Sequence, residues 1–111
     1  MALTYKVLGQ LEPVTDTQSI LYTVPTGAGN YAIVSTLNVC NLGSLAGTFS
    51  VAVSPAGASI NDKHYILKDA GCNAKQTQSY TIGITLAATD VIRVTSSNGE
   101  ISFNLFGSEN S

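Results

Sequence analysis

The sequence predicts an all-β fold: a single-domain antiparallel β-sandwich of about eight strands, jelly-roll or immunoglobulin-like. Three observations predict it. Apolar residues recur with a period of two rather than 3.6. Short segments rich in Val, Ile, Thr and Tyr alternate with turn-forming residues at intervals of about 8 to 12 residues. No stretch of about ten residues carries a helical apolar stripe with a cap at each end, and the best candidate, 58–68, has too few good helix formers.

Strands are expected, in order, at 5–9, 20–24, 31–41, 47–54, 64–67, 80–86, 91–96 and 100–106. In 31–41 the alternation sets Ile33, Leu37 and Val39 inward, with Ser35 as an interruption and Cys40 on the other face. In 47–54 Phe49, Val51 and Val53 share one face, while Thr48, Ser50, Ala52 and Ser54 share a small, polar one, the pattern of a half-buried strand. Gly83 interrupts 80–86 and predicts a bulge or a close backbone approach. Ile101, Phe103 and Leu105 are expected inward near the C-terminus. Turns are marked by PTGAGN (25–30), NLG (41–43), PAG (55–57), AG (70–71) and SNG (97–99). Asn98-Gly99 suits a type I′ turn, so 91–96 and 100–106 are expected to pair as a hairpin.

A chain of 111 residues has room for one domain, 1–111, and its 44% apolar content is enough to fill one core. Charged residues are only 11%, against about 25% in an ordinary soluble domain. Ser, Thr, Asn and Gln must therefore supply most of the polar surface. A net charge of −2 leaves no electrostatic footprint for DNA, RNA or an anionic membrane, so neither nucleic acid nor membrane is an expected partner. The N-terminal MALTYKVLGQ lacks the basic and apolar regions of a signal peptide, and the longest apolar run is 31–34, so the mature chain is expected to begin near Met1. Cys40 and Cys72 show no disulfide spacing; a core Cys40 and an incidental loop Cys72 are expected, with reduced thiols.

Sites of chemistry are sparse. A Ser or Cys nucleophile usually needs a base, and the one histidine, His64, lies beside a turn with Asp62 and Asp69 as conceivable partners; without a nucleophile signature it is expected to be a surface residue. One His and two scattered Cys cannot form a zinc motif, and Asp16, Asp62, Asp69 and Asp90 form no D-x-D-x-D calcium loop. No metal or other cofactor is expected. Nothing brings two of the seven acids together as a glycosidase pair, and Gly27-Ala28-Gly29 lacks the Lys-Ser/Thr of a phosphate loop. Tyr22, Tyr31 and Tyr65 are candidates for stacking on sugars, or ordinary strand tyrosines.

Sheet edges in monomers are usually guarded by charge, proline or bulges. Here Lys6, Lys63, Lys68, Lys75 and Arg93 are all the cations available, and the outer faces carry small uncharged residues that cost little to desolvate. An assembled protein, a homo-oligomer, is expected. Tyr5 and Leu8 near the N-terminus, and Leu105 and Phe106 near the C-terminus, are expected in a docking surface or in the core.

The stretches TYKVLGQ (4–10), LYTVP (21–25), AIVSTLNVCN (32–41), FSVAVSPAG (49–57), HYI (64–66), GITLAATDV (83–91) and FGSE (106–109) resemble small accessory structural proteins of tailed phages, including phages of cyanobacteria. The resemblance covers nearly the whole chain and consists of strand-and-turn patterns. It implies a non-enzymatic virion protein, made in the host cytoplasm and docked in multiple copies on other virion proteins. The role would be a tail, baseplate or fibre part or a capsid decoration, with no active-site residue to carry over. The alternative is a carbohydrate-binding or host-recognition module whose partner is a cell-surface glycan.

Overall fold

The computed structural model describes residues 3–111 and places nine strands in two antiparallel sheets. The strands are β1 (Leu3–Leu11), β2 (Ser19–Thr23), β3 (Tyr31–Asn41), β4 (Gly47–Ser54), β5 (Tyr65–Cys72), β6 (Thr77–Tyr80), β7 (Ile84–Ala87), β8 (Val91–Ser96) and β9 (Ile101–Asn110). Single 3₁₀ turns occupy Pro55–Gly57 and Asp62–His64. The first sheet has the order β1-β9-β3-β6, with β7 also paired to β3; the second has the order β2-β8-β4-β5.

This order decides between the two expected sandwiches. β1 pairs with β9, β2 with β8, β3 with β6 and β7, and β4 with β5, as in one long antiparallel ribbon folded at the β4–β5 connection. The ribbon is then rolled, so that β9 also pairs with β3 and β8 with β4. Rolling buries the inner face of each half against the other. The result is a jelly roll; an immunoglobulin sandwich would gather its first, second, fourth and fifth strands in one sheet. At the centre Phe49 meets Phe103 edge-on at 5.9 Å between ring centroids and Tyr80 at 6.2 Å, and Leu37, Ile92 and Ile101 close around them without solvent exposure.

The expected β8–β9 hairpin does not form. The two strands belong to different sheets, and Ser97-Asn98-Gly99 crosses between them: the Ser97 amide donates to the Thr48 carbonyl and the Leu42 amide to the Glu100 carbonyl, both at 2.8 Å. Neither Asn98 nor Gly99 takes a positive φ, so no type I′ turn exists. The turn signal lost to long-range pairing. β9 pairs with β3 along its whole length and with β1 from Phe103 onward, while Ile92 and Val94 of β8 and Phe103 and Leu105 of β9 are buried from opposite layers of the core.

Bulges overturn the simple alternation elsewhere. Leu8 in β1 and Ser35 in β3 are extra residues flanking Phe106 of β9, and each shifts its strand's inward phase. In β3, Ala32 and Val34 point inward before the bulge and Leu37, Val39 and Asn41 after it; Ile33, expected inside, faces out at 43% exposure. In β5 the strand continues past the expected Ala70-Gly71 turn, because Asp69 absorbs the irregularity with φ 50° and its amide donates to Ser50 Oγ at 3.0 Å. The strand therefore starts at Tyr65 rather than His64 and reaches Cys72, which is buried, while Cys40 is half-buried on the outer face. That reverses the expected roles of the two thiols, both of which are free. Gly83 marks neither bulge nor close approach; the chain simply breaks there into β6 and β7, and a Cβ would meet nothing within 4 Å.

The outer face of β4 is also not solvent-facing as expected. Ser50, Ala52 and Ser54 are buried, because small residues sit below larger flanking ones: Arg93 Nε donates to Ser54 Oγ at 3.1 Å, and Ala52 lies between Arg93 and Tyr65 in register.

Two glycines mark where backbone approaches backbone. A Cβ on Gly107 would stand 2.1 Å from the Ile33 carbonyl oxygen, and one on Gly9 2.3 Å from that of Leu21, where the edges of the two sheets meet. Gly107→Ala should therefore cost about 2 kcal/mol or more in urea unfolding, since the Ile33–Val34 backbone must shift, whereas Gly83→Ala should fall within about 0.5 kcal/mol of the wild type or stabilise slightly.

Candidate functional surface

Register determines which side chains share the outer face of the first sheet, since residues directly opposite in neighbouring strands point the same way. Three successive rows cross β1, β9 and β3: Leu3–Asn110–Tyr31, Tyr5–Ser108–Ile33 and Val7–Phe106–Thr36. All three lie on the outer side, because Val34, in the intervening row Lys6–Gly107–Val34, is fully buried, while Lys6 at the sheet edge stays exposed. Further along, the same face turns polar: Gln10 Nε2 donates to Asn104 Oδ1 at 2.7 Å, next to Asn38 and Ser79. The face thus divides into an apolar half and an uncharged polar half.

Within the apolar half, Tyr5 is 81% exposed, and Leu3, Val7 and Ile33 are each close to half-exposed. A groove of about 550 Å³ runs among Leu3, Tyr5, Ile33, Ser35, Phe106 and Ser108, with Lys6 and Gly107 at its floor and margin. The bulges shape it. The extra Ser35 places Ile33 outward on one wall, its hydroxyl donating to the Phe106 carbonyl at 3.2 Å, and Gly107 lets β3 and β9 approach beneath the groove.

The one charge near the groove is neutralised beneath it. Lys6 Nζ lies 3.0 Å from Glu109 Oε1, and the Tyr22 hydroxyl donates to Glu109 Oε2 at 2.5 Å. Ser111 Oγ adds a 3.4 Å contact to Oε1. Glu109 and Tyr22 are both buried. Hydrogen bonds from Tyr22, Lys6 and Ser111 hold the carboxyl below its ordinary range, although burial pulls the other way; burial and the facing carboxylate push the Tyr22 hydroxyl well above its ordinary value of about 10.

The sequence candidates divide accordingly. Tyr5, Tyr31 and Phe106 come together on the apolar half. Leu8 and Leu105 are core residues, Leu8 because its bulge turns it inward. Tyr22 is also internal, so it offers no stacking surface. Tyr65 sits on the other sheet, at the edge strand β5, with Lys68 Nζ 4.3 Å above its ring. The three tyrosines named for sugar stacking are therefore dispersed. Leu3, Val7 and Ile33 were missed; Leu3 and Val7 alternate visibly with Tyr5, whereas Ile33 needed the bulge and Glu109 had no local signal.

His64 does not pair with Asp62 or Asp69 in the turn it occupies; its Nδ1 accepts from the Asn61 amide at 2.8 Å. Asp90 ties the β7–β8 turn to the turn after β4, accepting from the Ala56 amide with Oδ1 and the Ala87 amide with Oδ2. Among the described residues no three His, Cys, Asp or Glu side chains gather into a metal-binding group. Burial pushes the Cys72 thiol up, the opposite of an activated nucleophile.

A known structure shares the fold. Across 97% of its length the chain superposes on a chain from the structure of infectious bursal disease virus, Gx strain, with a TM-score of 0.51 at 11% identity. The likeness is one of fold. A pentameric capsid protein isolated from metagenomic phage sequences matches over 97% of the chain at 18% identity and a TM-score of 0.37. The chain spans 30% of the first of these proteins and 64% of the second. No family model and no curated protein matches the sequence.

The Glu109 cluster makes stability depend on pH at both ends. Because the folded carboxyl titrates lower than the unfolded one, its contribution is present above about pH 4.5 and is lost as pH falls through the folded value. Because the folded Tyr22 hydroxyl titrates higher, its contribution is present below about pH 10 and is lost as pH rises through the folded value. Urea midpoints measured across pH should show both limbs. Tyr22→Phe should shrink the alkaline limb to what the buried Cys72 thiol and Tyr80 hydroxyl, both also raised by burial, contribute, move the acid limb to higher pH and cost about 1–3 kcal/mol near neutrality.

Proposed function

We propose that this chain is a non-enzymatic structural component of a virion, docked in multiple copies through its sheet faces. The observation that carries the proposal is the strand order: a rolled antiparallel ribbon, the architecture used by viral capsid domains among others, matched in fold by the bursal disease virus chain. The partly apolar, uncharged outer face suits permanent contact with neighbouring subunits. Of the two free thiols Cys72 is buried and raised, and His64, the one histidine, is hydrogen-bonded to a turn amide.

Within that role, the sequence resemblance to accessory proteins of tailed phages supports a tail, baseplate or fibre part or a capsid decoration, with the particle as its location. A glycan-binding module is the weaker alternative, since Tyr22 is buried and Tyr31 and Tyr65 lie on different sheets.

Mass spectrometry of purified particles of the encoding phage should find the 11.5 kDa chain in stoichiometric amount, with density in an electron-microscopy map fitting the two-sheet ribbon. Copies in the hundreds would assign it to capsid decoration, and small multiples of three or six to the tail. Absence from the particle refutes the virion role.

A further inference from the structure

We infer that the apolar half of the first sheet's outer face is a self-association surface, occupied by the same face of a second copy of this chain about a two-fold axis. The inference rests on the multi-copy role proposed above and names its contact.

Size comes first. Leu3, Tyr5, Val7, Tyr31 and Ile33, exposed by 37% to 81%, form with Phe106 one contiguous patch on the order of 500 Å², at the upper end of what a monomer ordinarily leaves uncovered. A standard interface buries about 800 Å² per partner, with an apolar centre inside a polar rim. The six side chains supply the centre, and the adjoining Gln10–Asn104 region supplies uncharged rim.

Charge selects the partner. A two-fold axis sets each patch against its own copy, so any unpaired charge would meet its like. Lys6 is the one charged residue lining the groove, and its ammonium is already held by Glu109 on the inner side of the strand. Although the Lys6 side chain is 43% exposed, its charge is paired, so the patch presents no unpaired charge to its own copy.

Shape agrees. An isologous contact needs projection and recess on the same surface, and here the projecting Tyr5 stands beside the groove walled by Ile33, Phe106 and Ser108. Tyr5 of each copy fits the groove of the other, a large, stiff aromatic anchor in a pocket.

Sedimentation of the full chain from about 1 to about 100 µM tests this. A concentration-dependent monomer–dimer equilibrium is expected, with Tyr5→Asp and Ile33→Asp each weakening it at least about tenfold and leaving the circular dichroism spectrum unchanged, while the wild-type Tm, and not theirs, rises with concentration. Thr77→Asp, on the polar half, should leave the equilibrium as it is. In a Cys40→Ser background, Tyr5→Cys combined with Ile33→Cys, two strands apart within one copy, should form an intermolecular disulfide under mild oxidation. A chain that remains monomeric throughout, or a dimer indifferent to both patch substitutions, overturns the inference. So does a monomer whose patch binds only particles lacking the protein; that result assigns the patch to another virion protein and leaves the virion role standing, whereas a patch-dependent dimer absent from particles does the reverse.

Discussion

The structure depends on β9 lying between β1 and β3. A ten-residue strand hydrogen-bonded on both sides ties the last segment of the chain to the first and to the third, and so closes the ribbon into a roll. Its inward residues Ile101, Phe103 and Leu105 are without solvent exposure, and Phe103 meets Phe49 across the sandwich. Once β9 occupies that position, β8 must join the opposite sheet. The connection between them becomes a crossing rather than a hairpin.

The same strand organises the outer surface. Bulges at Leu8 and Ser35 flank Phe106 on its two sides, so both neighbours change phase near one point. Without the bulge in β3, continuous alternation would have aimed Ile33 at the core. With it, Ile33 joins Tyr5 and Phe106 outside while Val34 and Leu37 remain buried. An irregularity in pairing thereby creates the apolar half of the face, and the fold and its contact surface share one cause.

Glu109 links this surface to the interior. It is a buried acid at the end of β9, stabilised by a phenol from β2 in the other sheet and an ammonium from β1 beside it. Removing one partner would leave a desolvated charge, which is costlier than the pair is favourable. The cluster joins the two sheets at one end of the roll and keeps the groove above it electrically neutral.

Composition and periodicity by themselves determined an all-β sandwich, most of the strands and the inward set Ile101, Phe103 and Leu105, because a period of two and β-branched content act locally along a strand. They also placed Tyr5 and Phe106 among the candidate contact residues. The tertiary structure alone decided that the Asn-Gly turn crosses between sheets, that β5 runs on to Cys72, that Ser50, Ala52 and Ser54 are covered, and that Tyr22 is bound to Glu109 from 87 residues away. The physical reason is range. Turn propensities and alternation reward neighbours a few residues apart, while register, bulges and buried ion pairs are settled between strands distant in sequence, where burying a shared core outweighs any single local preference.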